Sequence, residues 1–137
     1  LGLGLGELAP GARCIPVDRL ADAQALMAAA RATIVPRRGL GGFPIKLANS
    51  LAAGTPVVAF HAEEWGLADG RDSLICSANE DPVGALMQAL ARLEADDALA
   101  ERLGHGARET WQRQHAPERA AAATLALLAS LQPRSSR

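Results

Sequence analysis

Apolar residues recur at two spacings along this chain, and their alternation outlines a layered fold. Leu20, Ala23, Leu26, Met27 and Ala30 keep helical spacing behind Asp18, a suitable N-cap, which predicts a helix over 20–30. Ala32–Val35 is apolar without alternation, as a parallel strand covered on both faces requires. Ile45, Leu47, Ala48, Leu51 and Ala52 return to helical spacing; Gly54 stops that helix, and Pro56 opens a strand through Val57 and Val58 to Phe60. Arg13–Val17 and Ser73–Cys76 read as two further short strands, the second led by the turn signal Asp69-Gly70. Asp81-Pro82 starts a helix whose stripe is Val83, Leu86, Met87, Leu90 and Leu93. A second helix follows over Asp96–Leu103, with a break expected at Gly104-His105-Gly106. Ala107–Gln114 is amphipathic and carries Trp111 as a core plug or interdomain contact, and Pro117 begins a last helix with Leu125, Leu127, Leu128 and Leu131 for packing. The sum is an α/β, Rossmann-like fold: four short, mainly parallel strands, helices on both faces and a helical C-terminal tail. Ala32–Val35 and Val57–Phe60 are expected side by side at its centre. One domain is expected over 1–131, with a disordered tail over 132–137.

The chemistry concentrates in one block, Gly41–Val58. Gly41 and Gly42 permit tight or positive-φ backbone, and Pro44 suits a first helical turn, where its missing N–H costs nothing. The loop Arg37–Gly42 follows the strand ending at Val35, so it lies at the sheet edge where ligands of open α/β folds bind. A helix starting there aims free N–H groups above the loop, a natural place for a phosphate. Lys46 sits on the first turn and meets a phosphate as a point charge if it faces the cleft; the alternative is a lysine lying along the helix surface. His61 stands at the carboxyl end of the neighbouring strand, as a ligand-facing or a structural histidine. Gly2, Gly4 and Gly6 do not make a dinucleotide fingerprint, because no strand precedes them and the spacing fails.

The order and spacing of these residues resemble the donor-site segment of the retaining glycosyltransferases of family 4, enzymes of two Rossmann-like domains (GT-B). Val35-Pro36 matches the strand end, Gly42-Phe43-Pro44 the turn, and Leu51–Val58 the helix exit. The similarity continues through Asp69-Gly70, Asp81-Pro82 and Leu93–Leu103 to the last helix, over residues 10–131. It implies a C-terminal domain that binds a nucleotide-diphosphate sugar through Gly41, Gly42, Phe43, Pro44, Ile45, Lys46, Asn49 and His61. It also implies an acceptor held by an N-terminal domain, and a last helix that crosses back to that domain. The resemblance makes this chain the C-terminal two-thirds of a donor domain, so that by itself it is expected to transfer no sugar and to bind nucleotide weakly or undetectably. Two departures stand out. The family's two motif glutamates fall on Gly41, which has no side chain, and on Asn49, which accepts a hydrogen bond without charge. The loop His61–Trp65 is also more acidic than the family's glycine-bearing one; Glu63 or Glu64 offers a carboxylate to a sugar hydroxyl or is simply solvated.

Composition narrows the alternatives. The 137 residues are 49% hydrophobic and 21% charged, with a net charge of −1, which gives no electrostatic case for nucleic acid or an anionic membrane. No apolar run is long enough for a membrane span, and LGLGLGELAP lacks the basic start and cleavage pattern of a signal peptide, so a cytoplasmic location is expected. Cys14 and Cys76 then read as buried free thiols. His105 and His115 have no third ligand in view, and no metal or cofactor is expected. Two other readings stay open: a non-catalytic module kept for nucleotide-sugar binding or assembly, and a sugar-nucleotide epimerase that would draw on His61 with Glu63 or Glu64.

Overall fold

The two longest β-branched runs of the chain become neighbouring parallel strands. In the computed structural model, which describes residues 15–37 and 42–131, β1 is Thr33–Val35, β2 is Val57–Phe60 and β3 is Ser73–Cys76. They pair in the order β1-β2-β3, all parallel, with Val35 opposite Ala59 and Phe60 opposite Cys76. The helices are α1 (Leu20–Ala29), α2 (Ile45–Ala53), α3 (Pro82–Ala95), α4 (Asp97–Thr110) and α5 (Pro117–Leu131). A 3₁₀ turn covers Ala62–Trp65 and a π turn Trp111–His115.

The middle strand divides the core. Side chains alternate across a strand, so Val57 and Ala59 join Val35, Leu47, Leu51 and Ala107 on one face, while Val58 joins Leu74, Leu93, Leu99 and Leu103 on the other. All four residues of β2 are buried, as a strand with a neighbour on each side and helices on both faces requires. The α/β expectation, with helices on both faces and a helical tail, is the observed architecture.

Helix α4 holds the two layers together by crossing the amino ends of the strands. A Cβ on Gly104 would stand 2.5 Å from the carbonyl oxygen of Gly54, just ahead of β2. A Cβ on Gly106 would overlap the carbonyl of Arg71, just ahead of β3. The two glycines therefore do not break the helix, as their sequence signal implies; they let it approach backbone closely and continue to Thr110. Fully buried Asp72 fixes the crossing. It accepts from Thr110 Oγ1 at 2.8 Å on α4, from Ala68 N–H at 2.9 Å, and from Arg71 Nε at 2.8 Å. Buried Thr55 donates to the carbonyl of Met27 at 2.7 Å and pins α1 beside α2.

Several local expectations are corrected. Asp18 does not cap α1; the N-cap is Arg19, whose guanidinium instead pairs with Asp22 at 3.0 Å. The stripe of α1 is not buried, because that helix packs mainly on α2 rather than on the sheet. Strand β1 lies at the edge of the three described strands rather than at the centre, which leaves Ile34 exposed. Of Arg13–Val17 only Ile15–Val17 is described, and it forms no strand. Val83 and Met87 on α3, Ile45 on α2 and the leucines of α5 face outward, whereas Leu93 and Ala89 carry the contact of α3. Ala107–Gln114 is not a separate helix, since α4 runs through it into the π turn. Cys14 and the tail expected over 132–137 lie outside the described residues. Asp81 does cap α3, accepting from Gly84 N–H at 2.8 Å with Pro82 at the first position, as the sequence rule has it.

The close approach at Gly106 leads to a stability prediction. Gly106→Ala forces a methyl into the Arg71 carbonyl and is expected to cost about 1–3 kcal/mol, the range for overpacking a tight site. Gly70→Ala, with open space around its Cβ, serves as a comparison in which only the positive φ is penalised. Urea unfolding of the two variants against the parent measures both costs.

Candidate functional site

The carboxyl edge of the sheet is where β1 and β2 deliver the candidate residues. After Val35 the chain turns at once: the Arg37 N–H donates to the Val35 carbonyl at 2.9 Å, a three-residue turn that bends it away from the sheet. The Arg37 guanidinium donates to the Gly42 carbonyl at 3.0 Å. Gly41 lies outside the described residues, so the structure places the site from Gly42 onward.

Pro44 is the N-cap of α2, in extended conformation, and its carbonyl accepts from Leu47 N–H at 2.9 Å and Ala48 N–H at 3.3 Å. Those bonds leave the Ile45 and Lys46 N–H groups as the donors that the helix does not use, at the positive end of its dipole. No side chain caps this helix, and no acidic residue sits in its first turn. Lys46 is exposed there, as is Arg37 on the loop before it.

Asn49 lies four residues after Ile45, on the same side of α2. It opens onto a groove of ≈ 390 Å³ between α1 and α2, lined with it by Gln24, Ala25, Ala28, Ala52 and Arg108. Arg108 also donates to the Ala53 carbonyl at 2.9 Å and closes the far end of α2.

His61 follows β2 at the same sheet edge, two positions beyond the Val35–Ala59 pair just as Arg37 is on β1. Its φ of 53° is left-handed, a conformation in which histidine is commoner than most side chains, and it caps the 3₁₀ turn. Its ring is exposed, as are Glu63 and Glu64 on that turn. Gly66 ends the turn at φ 79°, and any side chain there would strike Gln114.

His115 joins the edge from α4, a connection that the sequence pattern does not reveal. Its ring stacks on Phe43 with centroids 4.7 Å apart at 36°, and Trp111 stands behind it at 6.3 Å. Seventy-two positions separate the two partners of the closer pair in a chain of 137, so only the packing of α4 could show it. His115 Nε2 is sealed from solvent with no hydrogen-bond partner among the described residues. Burial lowers the His115 pKa below its ordinary 6.5. At the other end of the edge, burial raises the thiol pKa of Cys76, with Asp69 adding to the effect and Arg92 opposing it; Sγ donates to the Ala85 carbonyl at 3.5 Å. Among the described residues no three His, Cys, Asp or Glu side chains gather as metal ligands, and no helix is long and apolar enough to cross a membrane.

The partly buried imidazole of His115 has a pH consequence. A pKa lower in the folded than in the unfolded state means that the folded chain binds fewer protons, so stability is full above about 6.5 and is lost as pH falls through the folded value. Melting temperatures taken from about pH 7.5 to about pH 5.5 are expected to fall more steeply in the parent than in His115→Phe, which cannot take up that proton. Parallel curves would assign the acid sensitivity to other groups.

Comparison with known proteins gives a family for the chain. A family model described as glycosyl transferases group 1 matches residues 5–96, about two-thirds of the chain. The matched span holds the parallel sheet, α2 and the whole of the edge loop, and it ends at the N-cap of α4. No curated protein sequence matches the chain. On the family match and the parallel α/β fold together, the chain belongs to the group 1 glycosyl transferases.

Proposed function

We propose that this chain is the donor-side part of a retaining glycosyltransferase of family 4 and holds a nucleotide-diphosphate sugar at the carboxyl edge of its sheet. The observation that carries the reading is the start of α2. Two N–H groups that the helix does not use, an exposed lysine on its first turn and an arginine bonded to the Gly42 carbonyl lie in the segment where open α/β folds bind ligands. A diphosphate there would receive hydrogen bonds from Ile45 and Lys46 N–H and charge from Lys46. The groove beside Asn49 is the place for the ribose, one turn along the same helix face.

Transfer breaks the bond between the sugar's anomeric carbon and the diphosphate oxygen and forms the new glycosidic bond to the acceptor oxygen. The charge that gathers on the departing diphosphate is what a preorganised cationic helix start stabilises. Gly42 and Phe43 shape the turn, and His61 faces the sugar end from the neighbouring strand. The acceptor would come from an N-terminal domain of the same polypeptide, with the outward leucines of α5 available to meet it. A cytoplasmic protein without a metal fits this chemistry. The second reading, nucleotide-sugar binding without transfer, is favoured by Gly41 and Asn49, which supply no carboxylate where the family pattern has two.

Asn49 separates a donor site from an ordinary helix. In the full gene product, Asn49→Ala is expected to weaken binding of the cognate nucleotide sugar by about 0.5–1.5 kcal/mol, the net worth of a neutral hydrogen bond. Asn49→Glu should tighten it through a charge-assisted bond, with Lys46 offsetting the added charge. Calorimetric titration with UDP, GDP and ADP sugars reads all three proteins; equal affinities would sink the assignment. Tight binding with no turnover on any acceptor would favour the binding module.

A further inference from the structure

We propose that His115 is a positioning residue for the start of α2: its ring is the seat on which Phe43 rests, and the seat holds the Ile45 and Lys46 N–H groups in place. Three observations converge on it. First, α4 does not end at Thr110 but widens into a π turn, with the Ala116 N–H donating to the Trp111 carbonyl at 2.9 Å. Such turns occur at helix C-termini, and this one ends on His115. At that position the His115 ring lies 4.7 Å from that of Phe43.

Second, Phe43 immediately precedes Pro44, whose carbonyl closes the first turn of α2. A ring anchored at that point fixes the direction in which the next N–H groups aim. With Phe43 40% exposed and Ile45 78% exposed, the hydrophobic core supplies little of that anchoring. The His115 ring, backed by partly buried Trp111, is the rigid surface that the loop meets.

Third, Nε2 of His115 is sealed without a partner among the described residues. Making no hydrogen bond there, Nε2 adds nothing to the contact with Phe43 that a phenyl ring would lack. A planar ring of this size, held by a helix that is itself locked by Asp72 and Thr110, gives the loop a fixed reference. The π turn and His115 fall outside the matched span of the family.

The test has one readout that needs no ligand. In His115→Ala, hydrogen exchange at the Leu47 and Ala48 amides, which bond to Pro44, should quicken about tenfold, the upper end of what an aromatic pair contributes. Leu93 and Leu103 amides, in the other core layer, should be unchanged. His115→Phe should restore the slow exchange, and Phe43→Ala should reproduce the loss from the exposed side without touching the buried layer. Unchanged exchange at Leu47 and Ala48 in both alanine variants, or a His115→Phe as fast as His115→Ala, overturns the seat.

The second readout rests on the donor-site reading and uses UDP, GDP and ADP as probes. Affinity per folded molecule should fall about tenfold in His115→Ala and recover in His115→Phe. Adding Phe43→Ala to His115→Ala should cost nothing more, since each acts through the other. A loss in Lys46→Ala with none in His115→Ala overturns the seat and leaves the donor site standing. If the parent binds none of the three nucleotides, the donor reading falls, and the exchange measurement alone decides the seat.

Discussion

The contact between Asp72 and Thr110 is the constraint from which the rest of the arrangement follows. Asp72 stands at the entrance to β3 and is fully buried, and its carboxylate takes hydrogen bonds from its own turn and from α4 at 2.8 Å. A buried charge with one partner removed costs about 3–5 kcal/mol, so the helix is held where that oxygen can be satisfied. With α4 fixed across the amino ends of the strands, its last turns run beside α2 toward the opposite edge. The clamp and the candidate site thus lie at opposite ends of the sheet, joined by one helix. The edge that carries the candidate site is left free of the interaction that secures the fold.

Electrostatics at that edge follows from what is absent as much as from what is present. Helix α2 begins with no acidic residue in its first turn and no side-chain cap, unlike α3 and α4, whose first turns are capped by Asp81 and Asp96. A helix start that satisfies its own N–H groups is closed to an anion, and one that leaves them open is available. Lys46 and Arg37 reinforce that difference. The two glutamates that the family pattern would place here are missing, while Glu63 and Glu64 stand on the turn after β2 at the same edge.

Much of this was legible in the residues, and the failures have a common cause. Helix α2, its stop at Gly54, strand β2 and the Asp81 cap rest on local signals: spacing, a left-handed glycine and a side-chain acceptor. The errors came where a distant partner decides the outcome. Gly104 and Gly106 look like a helix break until Gly54 and Arg71 are brought against them. The apolar stripe of α1 looks like a core face until the helix is seen to pack on α2 rather than on the sheet. Asp72 gave no signal beyond an ordinary turn residue, and its importance depends on Thr110, thirty-eight positions away. The site divides in the same way. Gly42 to Asn49 is one continuous segment and could be read directly, whereas His115 reaches Phe43 only through the packing of α4.

The central claim is that an anionic donor is held by the backbone at the start of α2. Amide chemical-shift mapping of the isotopically labelled protein, titrated with UDP, GDP and ADP in turn, tests it most directly. The account predicts that one nucleotide moves the Ile45 and Lys46 amide signals most, in the direction of stronger hydrogen bonding, with smaller changes at Gly42, Asn49 and His61. Shifts centred on another part of the surface, such as the groove beside Cys76 and Arg92, or movement of the α2 amides no larger than the rest, would contradict it.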